Sequence, residues 1–86
     1  MDINSLNLII EKKISQSISC KKIIIEDKTY LHKNHKGHEK NKFHIKLIIK
    51  SDELLKMNRI ESTKKIYKIL DHELKYYIHS IEVLLN

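Results

Sequence analysis

The chain has 86 residues, a formal net charge of +6, one glycine, one cysteine and no proline. A chain of this size buries only about 60–65% of the surface that it exposes when unfolded, which leaves little room for an enclosed active site and favours one non-enzymatic domain over residues 1–86. The lone cysteine excludes an intramolecular disulfide, and no apolar run approaches the roughly 18 residues of a membrane span. The sequence therefore predicts a soluble, cytoplasmic domain.

The positive charge comes from lysines that are scattered along the whole chain. All the basic residues except Arg59 are lysines, and isoleucine dominates the apolar residues. Joint enrichment of these two residue types is typical of an AT-rich coding bias and requires no binding partner. We interpret most of the charge as solvated surface, with a basic face for nucleic acid as the alternative.

The first predicted element is an amphipathic helix over residues 3–18, followed by a strand over residues 21–28. Apolar side chains in the first segment recur every three or four positions, and three consecutive β-branched isoleucines in the second favour a pleated surface. Cys20 lies between the two elements and is interpreted as a small buried hydrophobe. A reactive thiol is the alternative, because Lys21 and Lys22 follow it.

A polar stretch follows this strand and carries histidine at every third position. These residues are His32, His35 and His38, and the only apolar anchor of residues 29–41 is Leu31 at the entry. We expect a loop that is mobile without a partner. A connection of this length between two strands is often functional.

Two further strands and a helix complete the pattern. Residues 43–50 alternate between apolar side chains and a face that begins with His44, which predicts a strand with one buried face. A short helical turn at Ser51 and a helix from about Arg59 to Leu74 follow. Residues 76–85 alternate again and predict a third strand, in which His79 shares a face with its apolar neighbours Tyr77, Ile81 and Val83.

The order helix, strand, strand, helix, strand predicts an α+β fold. A helical crossover makes the last two strands parallel if they are neighbours, and two helices cover only one face of a three-stranded sheet. We therefore expect a two-layer αββαβ domain with a mixed sheet and both long helices on the same face.

The histidines are the only residues whose pattern points to chemistry. The chain has no recognisable nucleophile, no pair of carboxylates and no glycine-rich phosphate loop. A loop imidazole and the strand imidazole of His79 are suitable ligands for one metal centre. A plain zinc-binding module is a further hypothesis, but it lacks a fixed cysteine pair or carboxylate near the histidines.

The chain resembles the BolA family over nearly its whole length. Four segments carry the resemblance: residues 26–32 (EDKTYLH), 43–46 (FHIK), 64–74 (KKIYKILDHEL) and 77–81 (YIHSI). They are similar to the family's acidic-Ser-x-x-His loop entry, its His-aromatic-Lys/Arg strand start, its Leu-x-x-Glu-Leu helix end and its apolar-His-Ala-Leu strand. The chain departs from the pattern in a more basic loop at residues 36–41 and in Phe43, where a small or polar residue is common.

The resemblance implies a class II KH-like fold and a known way of working. BolA-like proteins pair with a monothiol glutaredoxin and share a [2Fe-2S] cluster, in cluster trafficking or in iron and redox regulation. The glutaredoxin supplies its own cysteine and a glutathione thiol. Matched residue by residue, the ligands from this chain are His32 and His79, with His35 as the alternative loop ligand. His44 is expected to support the site or to be structural.

The alternative is a KH-like nucleic-acid-binding regulator of transcription, in line with the family's reputation in stress response. The helix lysines Lys64, Lys65 and Lys68 would then contact the phosphate backbone. Against this interpretation, the chain has no Gly-x-x-Gly loop, and residues 61–64 lack the family's frequent Arg-His-Arg run. Besides glutaredoxin, a second copy of the chain and DNA are open as partners, and no membrane partner is expected.

Overall fold

The computed structural model describes residues 1–29 and 42–86, and these ranges contain three strands and four helices. The elements are α1 (Ile3–Ser17), β1 (Lys22–Asp27), β2 (Phe43–Lys50), α2 (Asp52–Leu55), α3 (Arg59–Ile69), α4 (Asp71–Tyr76) and β3 (Ile78–Leu85). None of the helices in these ranges is both long and apolar enough to cross a membrane.

The three strands form one mixed sheet in the order β1-β2-β3. β1 runs antiparallel to β2, and β3 runs parallel to β2. The parallel pair requires a crossover, and α2, α3 and α4 together provide it. The predicted mixed sheet and its strand directions are therefore confirmed.

Both long helices pack against the same face of this sheet. One apolar cluster contains side chains from α1, β2, α3 and β3, and it includes Leu6, Ile10, Ile14, Ile45, Leu47, Ile49, Ile66, Leu70 and Ile78. All nine are at most 3% exposed. A single shared core between two helices and one sheet face is the predicted two-layer arrangement, so the α+β fold class is confirmed.

The segment from Arg59 to Leu74, predicted as one helix, forms two helices in the structure, so the prediction is wrong in this respect. α3 ends at Ile69, and Leu70 leaves helical geometry with φ −98° and ψ 19° before α4 begins at Asp71. The Leu70 N–H is shared between the carbonyls of Ile66 and Lys68, which tightens this turn. Since Leu70 is fully buried, the bend keeps its side chain in the core while α4 takes a new direction.

The bend brings Glu73 of α4 against α1. Glu73 is only 2% exposed, and both of its carboxylate oxygens accept hydrogen bonds from Lys13 Nζ, at 2.9 and 2.8 Å. A buried carboxylate needs such a partner, because desolvation of an unpaired charge costs several kcal/mol. This ion pair ties the two helices together across 60 residues of sequence.

Cys20 is half-buried and packs against the apolar core, as the sequence predicted. Burial, followed by the negative charge of Glu53, raises the pKa of the Cys20 thiol. The raised pKa disfavours the alternative of an activated thiol, since nucleophilic reaction requires the thiolate. We expect alkylation of Cys20 by iodoacetamide at neutral pH to be at least about tenfold slower in the folded chain than in denaturant. Equal rates in the two states would contradict this placement.

Candidate metal-ligand site

His44 is a buried histidine at the start of β2, on the sheet face opposite the helices. Its side chain is 6% exposed, and its Nδ1 lies 2.7 Å from Ser80 Oγ on β3. Its backbone N–H donates to Thr29 Oγ1 at 3.1 Å, and its carbonyl accepts from the Lys28 N–H at 2.7 Å. One residue therefore joins β2, the adjacent strand and the chain that leads into residues 30–41.

His79 lies beside His44 because β3 contains an irregularity. Phe43 pairs with Ile78 but His44 pairs with Ser80, so His79 is an extra residue with no partner position on β2. The His79 side chain is exposed, and its ring centroid lies 4.9 Å from that of His44. Bulges of this kind redirect a side chain and often occur next to functional sites.

The expectation that His79 shares a face with Tyr77, Ile81 and Val83 is wrong. Ile78 faces the core at 2% exposure. Because His79 is an extra residue, the alternation of side chains shifts by one position after it, and Ile81 and Val83 also pack towards the helices. In a regular strand Ile81 and Val83 would lie on the face opposite to Ile78, because side chains alternate with a period of two. The irregularity thus gives β3 a continuous apolar face and still directs the histidine outward.

An open cavity of about 390 Å³ adjoins these residues on the same face of the sheet. His44 and Ser80 form part of its lining, and charged side chains of both signs surround them, namely Lys28, Lys46 and Glu82. The lining is polar and accessible, which suits contact with a second molecule better than enclosure of a small substrate.

The predicted loop ligands lie outside the described residues. His32 and its alternative His35 belong to residues 30–41, as do all residues except Thr29 of the loop, residues 29–41, that was predicted to be mobile. Among residues 1–29 and 42–86, no group of three or more His, Cys, Asp or Glu side chains is arranged to hold a metal ion. Within those ranges, the histidines brought together are His44 and His79.

The three lysines of the alternative nucleic-acid site are not equivalent. Lys64 and Lys68 are exposed on α3. Lys65 Nζ instead lies 3.1 Å from the carboxylate of Glu53 in α2. The hydrogen bond from Lys65, followed by one from the Ser19 N–H, lowers the pKa of the Glu53 carboxyl. Lys65 thus has a local partner, which reduces its availability to phosphate.

Ser80 and Thr29 are the site residues that sequence reasoning missed. Neither carries charge or a metal-binding group, and each acts only through hydrogen bonds that hold His44. Their position was the available signal: Ser80 follows His79 directly, and Thr29 stands at the entry to the histidine-bearing loop.

A model of the BolA-like protein family matches residues 14–85 of this chain. The chain is 30% identical over 77 residues to the DNA-binding transcriptional regulator BolA of Haemophilus influenzae, covering 90% of this chain and 72% of that protein. The match extends from α1 through β3 and includes the strand that carries His79. The chain belongs to the BolA-like family.

Solved structures of similar fold agree with this assignment. The BolA domain of SufE1 from Arabidopsis thaliana superposes with a TM-score of 0.78 at 22% identity, over 100% of this chain and 93% of that one. BolA1 from the same plant gives a TM-score of 0.73 at 22% identity, over 90% of this chain and 85% of that one. At these identities the likeness demonstrates a common fold.

Proposed function

We propose that this protein is a non-enzymatic partner of a monothiol glutaredoxin and contributes histidine ligands to a shared [2Fe-2S] cluster. The observation that carries the proposal is the exposed imidazole of His79, held at an irregular position of β3 beside the buried His44. His79 is the ligand contributed by β3, and His32 is the ligand contributed by the loop, with His35 as its alternative.

The chemistry of the donors fits a cluster shared between two proteins. Imidazole binds iron, and two histidines can replace two cysteines on one iron of a [2Fe-2S] centre. The cavity beside His44 is open and the His79 side chain is exposed, so a partner that brings thiolates can approach them. The bound cluster would supply redox-active iron, and the role of this chain is to hold neutral imidazoles in place.

Thr29, at the start of the loop, is held beside the strand histidines. This position supports a ligand pair made of one loop histidine and one strand histidine. The hydrogen bond between Thr29 and the His44 N–H anchors the chain next to the His44–His79 pair. His32 follows Thr29 by three residues, and three residues span at most about 11 Å. Covalent geometry therefore limits how far His32 can be from this anchor.

The test is to mix the protein with a cluster-loaded monothiol glutaredoxin under anaerobic conditions. We expect a 1:1 complex with visible absorption and circular dichroism that differ from those of the glutaredoxin alone. An unchanged spectrum together with no complex in gel filtration would refute the proposal. Apo-glutaredoxin serves as the control, because a complex that forms equally well without the cluster would not depend on the histidines.

The second candidate function is nucleic-acid binding, and the name of the Haemophilus relative favours it. Lys64 and Lys68 are the exposed cations of α3 on which such binding would depend. Replacing both with glutamine should then reduce affinity for duplex DNA and flatten its salt dependence. This function would displace the first if the wild-type chain bound DNA tightly at physiological salt and ignored loaded glutaredoxin.

The contact between His44 and His79 leads to a graded prediction for the cluster complex. His44→Leu removes the hydrogen bond to Ser80 and leaves the His79 ring less constrained. We expect the lifetime of the mixed cluster to fall about tenfold, as is typical for groups that orient a metal ligand. Ser80→Ala should have a smaller effect of the same sign, and a lifetime unaffected by either change would show that His44 is purely structural.

A further inference from the structure

Among the described residues, no strand pairs with the outer edge of β3. The Asn86 N–H donates to the Ile49 carbonyl at 3.0 Å, and Ile49 is in register with Leu85. In a parallel ladder this pattern directs the backbone groups of alternate residues towards the neighbouring strand. Ser80, Glu82 and Leu84 therefore bond to β2, while the N–H and C=O groups of the other set, namely Ile81, Val83 and Leu85, point away from the sheet.

A cavity of about 330 Å³ adjoins the second half of β3. Val83 and Leu85 face the helices and Glu82 and Leu84 face the opposite side, yet all four line it together with Leu54, Leu55 and Met57. The cavity therefore brings residues from both faces of β3 together with residues of α2. Two apolar side chains beside it are strongly exposed, Leu55 at 54% and Leu84 at 44%.

At the other edge of the sheet, β1, pairing about the central outward residue brings like charges together. The hydrogen bond from the Lys28 N–H to the His44 carbonyl sets the antiparallel pattern, in which Ile23, Ile25 and Asp27 point outward. Pairing two β1 strands about Ile25 would place Lys22 opposite Lys28 of the other copy. Like charges directly opposite one another destabilise a strand pair, and charged edges are a common protection against association.

We propose that β3 pairs antiparallel with β3 of a second copy of this chain, centred on Val83, to form a continuous six-stranded sheet. In this register Val83 lies opposite Val83 of the second copy, and Ile81 lies opposite Leu85. The outward N–H and C=O groups of these three residues in both copies then form six hydrogen bonds. On the opposite face of the sheet, Glu82 lies across from Leu84.

The sequence of β3 favours this register over the two that are centred closer to its N-terminal end. Centring the pair on Glu82 would place two carboxylates directly opposite each other, which is unfavourable. Centring it on Ile81 would place Val83 opposite the irregular position of His79, where the ladder is interrupted. Centring on Val83 avoids both and brings the two copies of Leu84 within about 7–8 Å diagonally, close enough for their side chains to meet.

The dimer leaves the candidate metal site accessible. His79 lies four residues before the central Val83, so the two His79 positions are separated by eight residues of strand, roughly 26 Å. Each copy can therefore bind a partner at the far end of its own β3. The dimer is independent of the proposed function, and its test requires neither cluster nor glutaredoxin.

Analytical ultracentrifugation of the whole chain tests the dimer directly. One strand pair and one cavity form an interface at the small end of the specific range, below about 1,200 Å², so we expect a dissociation constant of about 10–100 µM. The measurement should be made at about 0.15 M salt, because the +6 charge of each copy is then largely screened. A chain that is monomeric at about 500 µM under these conditions would overturn the proposal.

A proline at the centre of the proposed interface provides the matched variant. Val83→Pro removes an outward N–H without removing a hydrogen bond to β2 and should weaken dimerisation at least tenfold. Ile25→Pro makes the equivalent change at the outer edge of β1 and should leave the dimer intact. A folded Val83→Pro chain that still dimerises like the wild type would overturn the assignment.

Cross-linking identifies the register even if the proline variant does not fold. With Cys20→Ser as background, Val83→Cys places two thiols on the symmetry axis with a Cα separation of about 5.5 Å, within the range of a disulfide. Leu84→Cys places them roughly 8 Å apart, beyond that range. Mild oxidation should therefore link the Val83→Cys chains faster, and equal or reversed rates would overturn the proposed register.

Discussion

His79→Ala is expected to abolish the visible circular dichroism of the complex with cluster-loaded glutaredoxin. The substitution removes the exposed imidazole that β3 holds beside His44, and alanine offers iron no ligand atom. Because the side chain is exposed, its loss creates no cavity in the core, and thermal unfolding should change little. The measurement is the visible spectrum and the cluster lifetime after mixing, with the unfolding temperature recorded in parallel.

His72→Ala is the matched control for this experiment. His72 is also an exposed histidine, but it lies on α4, where its ring contacts Tyr76 at a centroid distance of 4.8 Å. The same change at this position should leave the spectrum and lifetime at wild-type values. An unchanged spectrum with His79→Ala, or an equal loss with both variants, would refute the assignment of His79. His32→Ala should weaken the spectrum more than His35→Ala, because the resemblance assigns the loop ligand to His32.

Among substitutions of the charged residues discussed above, Lys13→Met is expected to cause the largest loss of stability. It leaves the Glu73 carboxylate, 2% exposed, without its bidentate partner. Breaking such a pair costs about 3–5 kcal/mol when both groups are buried, and since the Lys13 side chain is 38% exposed we expect about 2 kcal/mol. Denaturant unfolding of the wild type and the variant measures the difference.

Two further variants separate the buried charge from other effects of this substitution. Lys12→Met changes an exposed neighbour on the same helix and should alter the free energy of unfolding by no more than about 0.5 kcal/mol. Lys13→Met combined with Glu73→Leu removes both charges and should recover most of the lost stability. If the double variant were as unstable as the single one, packing of the lysine stem and not the carboxylate would explain the loss.

The sequence was sufficient for the elements whose patterns repeat over several turns or residues. The isoleucines of β1, the alternation of β2 and the apolar stripe of α1 each reflect burial of one face, so their bounds and their common core were predictable. The order of elements then led to the mixed sheet and the shared helical layer, because few topologies accommodate it.

The bend at Leu70 and the irregularity at His79 were not predictable from these patterns. Leu70 continues the apolar stripe of α3, and no proline or glycine marks the break. An extra residue in β3 moves every following side chain to the opposite face of the sheet. The alternation of apolar and polar residues in the sequence does not indicate where that extra residue lies. Glu73 likewise resembles an ordinary surface residue of a helix, because its partner Lys13 is distant in sequence and meets it only after the bend.

Pulsed electron paramagnetic resonance of the reduced mixed complex tests the central claim most directly. The protein would carry ¹⁵N-labelled histidine, and the glutaredoxin would be unlabelled. We predict a strong hyperfine coupling from ligating imidazole nitrogen that is lost or reduced in His79→Ala and retained in His72→Ala. A complex that forms a [2Fe-2S] cluster without any strongly coupled ¹⁵N from this chain would contradict the claim that its histidines ligate the shared cluster.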